Sequence, residues 1–273
     1  MTLTPRVTEV ERLLFCSDVV AIGAFRCPSR HPLFVDSGPA SGHLVVFPRS
    51  STTIVFDGGR TVTGASPTVL FYNRGQAYTR KKIDDIDASD WFMIAPDIVR
   101  EAVPAAADRE DRLFPFYVAP ASAKTYLEQR TLHTALSDGR PIDALTVEET
   151  VMGLLDDVIA AARRDKLRDS IEAVKALIAS RPAANMSLRA LASHAGCSPF
   201  QLCRTFRAAT GQTITEYRHA LRLRLALNAL RDTRAELTDI ALDTGYSSHS
   251  HFTMAFRRRF GITPSAYRHL RRL

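Results

Sequence analysis

The chain has 273 residues, of which 45% are hydrophobic and 24% charged, a composition typical of a folded globular protein. No apolar run reaches the roughly 18 residues that a membrane span needs. The N-terminal segment also lacks the basic and apolar regions of a secretory signal. We therefore expect a cytoplasmic protein with no membrane partner, whose four cysteines, none in C-x-x-C spacing, are reduced.

The charge is divided unevenly along the chain. Residues 166–273 hold 18 Lys/Arg and 7 Asp/Glu, a net charge of +11, whereas residues 1–165 have a net charge of −4. A basic portion joined to a slightly acidic one indicates that only the basic portion meets a polyanion. A solvated basic surface without a polyanionic partner is the alternative that charge alone leaves open.

Residues 1–120 have the pattern of a β-rich domain. Short runs rich in Val, Ile, Phe and Tyr occur at 43–48, 52–57, 68–73 and 90–96, most of them bounded by turn residues. Several short strands at this spacing predict a sandwich or a barrel. His31, His43 and Cys27 are conceivable metal ligands, but their spacing is scattered. We therefore predict no metal, no cofactor and no catalytic residues, and the protein is not expected to be an enzyme.

From residue 121 the periodicity becomes helical. Two helices are predicted before residue 165, and the second, 146–164, opens with Thr146 and Glu149, which match a capping box. These helices form a connector between the β-rich domain and the rest of the chain. They either pack against their copies in a homodimer or fold back onto their own β domain.

The C-terminal portion contains an internal repeat. Residues 188–218 align with residues 237–268, so that Gly196 matches Gly245 and Phe206 matches Phe256. Each copy consists of a short helix, a glycine-containing turn and a second helix opened by a serine, which is a helix-turn-helix pattern. The helices predicted over the whole portion are 167–180, 187–195, 198–209, 213–231, 237–243, 248–259 and 264–270.

The second helix of each copy has an apolar face and an outward face on a helical wheel. The outward face is the one that a recognition helix presents to the major groove, where the fork of Arg204 can bond to guanine O6 and N7. Phe200 either covers a thymine methyl group or packs on the neighbouring long helix. On the wheel the outward face holds Phe200, Arg204 and Arg207, flanked by Cys203, in the first copy and Ser250, Met254 and Arg257, flanked by Thr253, in the second. The residues predicted to contact phosphates are Ser198, Arg207, Ser248, Arg257 and Arg258.

The pair His249 and His251 is not predicted to bind a metal. Residues two apart on a helix point ~200° from each other, and helical metal pairs prefer a spacing of four. His249 lies in the first turn, where contact with a base or a phosphate is natural. His251 is expected to cap or to pack.

The segments "LASHAGCSPFQLCRTFRAATG" and "IALDTGYSSHSHFTMAFRRRFGITPSAYR" resemble the DNA-binding domain of AraC/XylS-type bacterial transcription regulators. The resemblance implies a multidomain α+β protein. Residues 1–120 would form a β-rich, cupin-like effector or dimerisation domain, 121–165 a helical connector, and 166–273 an all-α domain. In that last domain two helix-turn-helix units are joined by a long helix, and their recognition helices, 198–209 and 248–259, enter successive major grooves. The resemblance implies that the base-facing positions are Phe200, Cys203 and Arg204 in the first copy and His249, Ser250, Thr253 and Met254 in the second, and the family often has arginine at the position of Met254.

The implied function is sequence-specific transcription regulation. Double-stranded DNA is the implied partner, together with a small-molecule effector, and the resemblance allows RNA polymerase and a second copy of the chain as further partners. Two other hypotheses stay open from the residues. One is a cupin-type enzyme tethered to DNA, and the other is a redox or alkylation sensor that uses Cys16 and Cys27.

Overall fold

The computed structural model describes residues 3, 5, 7–35, 38–82, 84–104, 112–232 and 235–269. It divides into two compact parts, an N-terminal part of residues 1–166 and a C-terminal part of residues 167–273. The N-terminal part contains two antiparallel sheets among the residues that the structure describes. Their strands are β1 (Glu11–Cys16), β2 (Val20–Pro28), β3 (His43–Pro48), β4 (Thr52–Phe56), β5 (Thr61–Gly64), β6 (Thr68–Tyr72), β7 (Tyr78–Lys82), β8 (Ile86–Ile94) and β9 (Val118–Pro120).

The larger sheet separates two apolar cores. It has six strands in the order β1-β2-β8-β3-β6-β9, and the smaller sheet has three in the order β5-β4-β7. Because side chains alternate along a strand, Trp91 and Met93 of β8 belong to the core shared with the smaller sheet, whereas Phe92 and Ile94 belong to the opposite core. Helices cover that opposite core. The β-rich pattern predicted for this half is confirmed, including strands at all four of the predicted runs.

Three helices accompany the sheets: α1 (Pro96–Ala102), α2 (Ala123–Ser137) and α3 (Ala144–Ser180), which contains the boundary between the N-terminal and C-terminal parts. The prediction of separate helices at 146–164 and 167–180 is wrong. No Gly or Pro lies between Arg164 and Leu167 to interrupt the backbone hydrogen bonds. The capping box is also wrong, because the Thr146 N–H donates to Asp143 Oδ2 at 3.2 Å, before the helix. Neither α3 nor any other described helix is long and apolar enough to span a membrane.

A buried carboxylate fixes α2 on the larger sheet. Asp90 of β8 is fully buried and accepts hydrogen bonds from Gln129 Nε2 at 2.8 Å and Arg130 Nη1 at 2.7 Å. His133 Nε2 lies 3.2 Å from the same carboxylate, and burial lowers the pKa of that imidazole. A buried charge is tolerated only with such partners, so the helix and the strand depend on each other. α2 therefore folds back onto its own β domain.

The C-terminal part is all helical among its described residues. Beyond the end of α3 it contains α4 (Leu188–Ala195), α5 (Pro199–Thr210), α6 (Ile214–Asp232), α7 (Leu237–Asp243), α8 (His249–Phe260) and α9 (Pro264–His269). The helices predicted from residue 187 onward are confirmed, with ends shifted by one residue at most; residue 270 lies outside the described residues. One apolar cluster joins α3, α4 and α5 and another joins α6, α7 and α8, so each half of the repeat has its own core.

Candidate nucleic-acid interface

The two halves of the repeat build the same turn between their helices. Gly196, which follows α4, has φ 64°, and Gly245, in the turn after α7, has φ 85°, a left-handed backbone that glycine adopts at low cost. The next helix in each half is capped by serine. Ser198 Oγ accepts the Gln201 N–H and Ser248 Oγ accepts the His251 N–H, both at 3.2 Å. This confirms the helix-turn-helix pattern in both copies.

Each second helix is held by two fully buried apolar side chains. In α5 these are Leu202 and Phe206, and in α8 they are Phe252 and Phe256. The rings of Phe252 and Phe256 meet edge to face at 5.6 Å. Fixing the inward face in this way also fixes which residues point outward, as the helical wheel predicts.

The outward face of α5 is open to solvent. Phe200 is 79% exposed, and Cys203, Arg204 and Arg207 are exposed as well. The alternative in which Phe200 packs on the long helix is therefore wrong. An exposed phenylalanine beside two arginines gives this face both an apolar surface and charged donors, the two kinds of contact that base edges and phosphates offer.

The outward face of α8 has a different chemistry. Met254 is 67% exposed and Ser250 is exposed, whereas His249 and Thr253 are half-buried. The Thr253 Oγ1 atom is itself buried, without a hydrogen-bond partner among the described residues. The Thr253 hydroxyl therefore does not face a groove in this structure. The base-facing roles in both helices stay predictions.

The residues predicted to contact phosphates lie at the surface of the same two helices. Arg207, Arg257 and Arg258 are exposed, in the last turns of α5 and α8. Ser198 and Ser248 are exposed too, and because each uses its oxygen as an acceptor, its hydroxyl hydrogen can still donate. A helix N-terminus with such a hydroxyl suits an anion.

The remaining candidates from the sequence do not assemble into a site. The His251 ring packs edge-on against Tyr246 at 5.5 Å, in agreement with its predicted packing role. His31 contacts Glu9 and the Leu33 N–H, and the described residues contain no group of three or more His, Cys, Asp or Glu able to hold a metal.

Cys16 and Cys27 lie at opposite ends of the β1–β2 pair. Cys16 is opposite Ala21, six residues before Cys27 on β2, which corresponds to about 20 Å. A disulfide needs Cα atoms within about 7 Å, so these two thiols cannot bridge in this fold. Cys16 is exposed and Cys27 is buried, and burial raises the pKa of the Cys27 thiol.

A buried arginine in α6 was missed by the sequence reasoning. Arg222 is 4% exposed, and burial, aided by Arg218, lowers its pKa. The sequence does contain a signal, because Arg222 precedes the buried Ala226 and Leu230 at intervals of four residues. An arginine in line with an apolar stripe indicates burial with hydrogen-bond acceptors rather than a solvated charge.

The N-terminal part of the chain has a cavity between its two sheets. Its volume is about 50 Å³, and Phe25, Val46, Ile54 and Trp91 are among the residues that line it. At one side Arg80 Nε and Asp87 Oδ2 form a buried ion pair at 2.9 Å. The sequence reasoning named no effector-binding residue, because inward-facing positions from both sheets meet only in three dimensions.

Comparison with known proteins gives a family match within the C-terminal portion of the chain. A family model described as a helix-turn-helix domain matches residues 191–270. The regulatory protein SoxS of Salmonella typhimurium is 44% identical over 84 residues, which are 31% of this chain and 78% of SoxS. The HTH-type transcriptional activator RhaR of Salmonella schwarzengrund is 32% identical over 114 residues, which are 42% of this chain and 39% of RhaR.

One of the similar solved structures has a related description. It is a transcriptional regulator of Chromobacterium violaceum described by its AraC-type DNA-binding domain, with 30% identity and a TM-score of 0.37. The similarity covers 38% of this chain and 93% of that one.

Proposed function

Because the chain belongs to the AraC/XylS family of DNA-binding transcription regulators, we propose that α5 and α8 enter two successive major grooves of an operator. One observation carries the proposal: two equivalent helices, each buried on its inward face, leave polar and charged faces open in the basic half of the chain. Successive grooves on one side of B-DNA are about 34 Å apart, and two units joined by one helix can meet both.

The outward residues divide by the chemistry they offer to DNA. Arg204 supplies two parallel donors for the O6 and N7 atoms of guanine, and Phe200 supplies an apolar ring for a thymine methyl group. Met254 has no donor, so α8 would rely on thymine methyl contact and on Ser250. Arg207, Arg257 and Arg258 supply charge to phosphates, which sets affinity and orientation rather than sequence.

The proposal is tested with the purified full chain and a pool of duplexes randomised in sequence. Repeated selection should yield a motif with two half-sites about one helical turn apart. The logarithm of the association constant for that motif should fall linearly with the logarithm of the salt concentration. Arg257→Ala should reduce the salt slope by about 1 while leaving the selected sequence unchanged. Recovery of no common motif from the pool would contradict the proposal.

We also propose that the cavity between the two sheets receives a small-molecule effector, with residues 1–120 as the sensing domain and 121–165 as the connector. The apolar walls favour an apolar ligand body. The Trp91 indole N–H, buried and without a partner among the described residues, would donate to a ligand acceptor. Ligand pockets usually exceed 300 Å³, so binding must separate the sheets. Trp91 is the chain's single tryptophan, so its fluorescence reports occupancy directly in a metabolite screen.

The same proposal gives the protein its place and its partners. A regulator of this kind works in the cytoplasm, where the DNA is, and acts by binding rather than catalysis; once bound it can recruit or exclude RNA polymerase. Leu127 of α2 and Leu145 of α3 are 67% and 61% exposed, and we propose that they contact a second copy. Light scattering of Leu127→Glu and the parent chain would test this, and identical masses for both would contradict it.

A further inference from the structure

We propose that Arg222, together with Gly245, locks the two helix-turn-helix units to each other and thereby sets the half-site spacing that the protein accepts. The inference rests on the proposed function, because spacing has a meaning only if both units bind DNA. Arg222 acts here as a positioning residue: it lies on the joining helix and belongs to neither recognition helix.

The Arg222 guanidinium bonds to segments of both units at once. Its Nε donates to Pro182 O at 2.7 Å, and its Nη2 donates to Ala183 O and to Asn185 Oδ1, both at 3.2 Å. These acceptors lie in the loop that leads into α4, the first helix of the first unit. Its Nη1 donates to Gly245 O at 2.6 Å, in the turn that leads into α8. One planar side chain therefore connects the entrance of the first unit to the recognition turn of the second.

Gly245 allows these segments to approach closely. A Cβ atom at this position would lie 2.7 Å from Ala183 Cα and 2.7 Å from Arg222 Cζ, closer than real Cβ contacts allow. The matching glycine of the first unit is different, because a Cβ on Gly196 would meet nothing within 4 Å. Both glycines have positive φ, so both serve their turns. Gly245 alone of this pair also serves the contact between the units.

The lock is rigid because its bonds are directional and all come from one buried guanidinium. A guanidinium has five donors in a fixed plane, so several acceptors must hold their positions for all of its bonds to form. Removing it leaves the carbonyl groups of Pro182 and Gly245, both partly buried, without their donor, which destabilises this arrangement relative to looser ones. On B-DNA one extra base pair moves the second groove by about 3.4 Å along the helix axis and about 34° around it. A rigid pair of units cannot follow that movement, whereas a loosened pair can.

The test compares two duplexes, the selected operator and the same operator with one base pair inserted between its half-sites. The parent chain should bind the inserted duplex at least about tenfold more weakly. Arg222→Met should reduce this penalty to about threefold or less, while discrimination against base changes within each half-site is kept. Arg224→Met is the matched control: it removes the same charge from an exposed position two residues away and should keep the parent's penalty.

A second pair of variants tests the close approach itself. Gly245→Ala and Gly196→Ala place a side chain at the same kind of left-handed turn, but only the first collides with the other unit. Gly245→Ala should reduce the spacing penalty, and Gly196→Ala should not. Asn185→Ala removes a single acceptor from an exposed loop residue, so it should fold even if Arg222→Met does not. It should reduce the penalty by a smaller factor.

The outcomes separate the lock from the proposed function. If folded Arg222→Met, or Asn185→Ala where the former does not fold, keeps the parent's full spacing penalty, the lock is wrong even though the protein binds its operator. If the parent binds both duplexes equally well, the lock is also wrong. If the parent selects no duplex sequence at all, the proposed function fails before the lock is reached.

Discussion

The outward face of α5 presents Arg204, whereas the matching position of α8 presents Met254. Both helices have 12 residues, both are capped by serine, and both are held by two fully buried apolar side chains. The scaffold and the contact surface are therefore under separate constraints. Inward residues must fill a core, while outward residues can change without disturbing the helix, so one fold can present different chemistry to two grooves.

The largest expected effect is a loss of stability when the core of either helix-turn-helix unit is truncated. Phe206→Ala and Phe256→Ala each remove a fully buried ring, and each should lower the free energy of unfolding by about 3–5 kcal/mol. Chemical denaturation followed by circular dichroism measures both. Losses that differ by more than about 2 kcal/mol would show that the two cores are not equivalent.

The next largest effect concerns base discrimination, for which the outward faces of α5 and α8 offer different side chains. Arg204→Ala should reduce discrimination at one guanine by about 1–3 kcal/mol, because both guanine acceptors lose their donors. Met254→Ala should change discrimination by less than about 1 kcal/mol, since it removes only apolar contact. Competition binding with single-base operator variants measures both changes. An unchanged preference in Arg204→Ala would mean that α5 is not the sequence-specific element.

The reciprocal substitution tests the same comparison by gain. Met254→Arg gives α8 the side chain that the first unit has, at a position that is 67% exposed. It should therefore fold normally and acquire a preference for guanine in the second half-site, of about 1–3 kcal/mol. Selection from a duplex pool randomised only in that half-site measures this change. Persistence of the parent's motif would indicate that residue 254 does not reach base edges.

The smallest effect concerns the two caps. Ser198→Ala and Ser248→Ala each leave a helix N–H without its acceptor, and each should cost about 1 kcal/mol of stability. If the hydroxyls also contact phosphate, each variant should weaken binding to all sequences equally. Thermal melting and salt titrations separate the two contributions, and Ser→Thr variants, which keep the hydroxyl, serve as the controls.

The repeat made the C-terminal part of the chain predictable from sequence. Glycine and serine punctuate helices through local backbone rules, and the matching Phe206 and Phe256 identify the inward face without knowledge of the partner. The β-rich first half was predictable for the same local reasons. The separate ends assigned to α3 were wrong, because weak local propensities decide little in a helix of 37 residues held by packing.

Contacts between distant segments could not be predicted in this way. Arg222 finds its acceptors in residues about 40 positions earlier and 23 positions later in the chain, and Asp90 finds its donors about 40 positions later. The intervals of four residues from Arg222 to Ala226 and Leu230 indicate that Arg222 is buried, but they do not identify its acceptors, and Asp90 looks like an ordinary surface charge in the sequence. Only the fold shows which groups satisfy each of them. The cavity between the sheets has the same origin.

Asp90 and Trp91 are neighbours on β8, yet they face opposite sides of the larger sheet. Trp91 lines the cavity, and Asp90 accepts the hydrogen bonds of α2. One peptide bond joins them. If the proposed effector binds in the cavity and displaces the indole, the displacement would reach the anchor point of α2 through β8, which is hydrogen-bonded to β2 and β3 on either side.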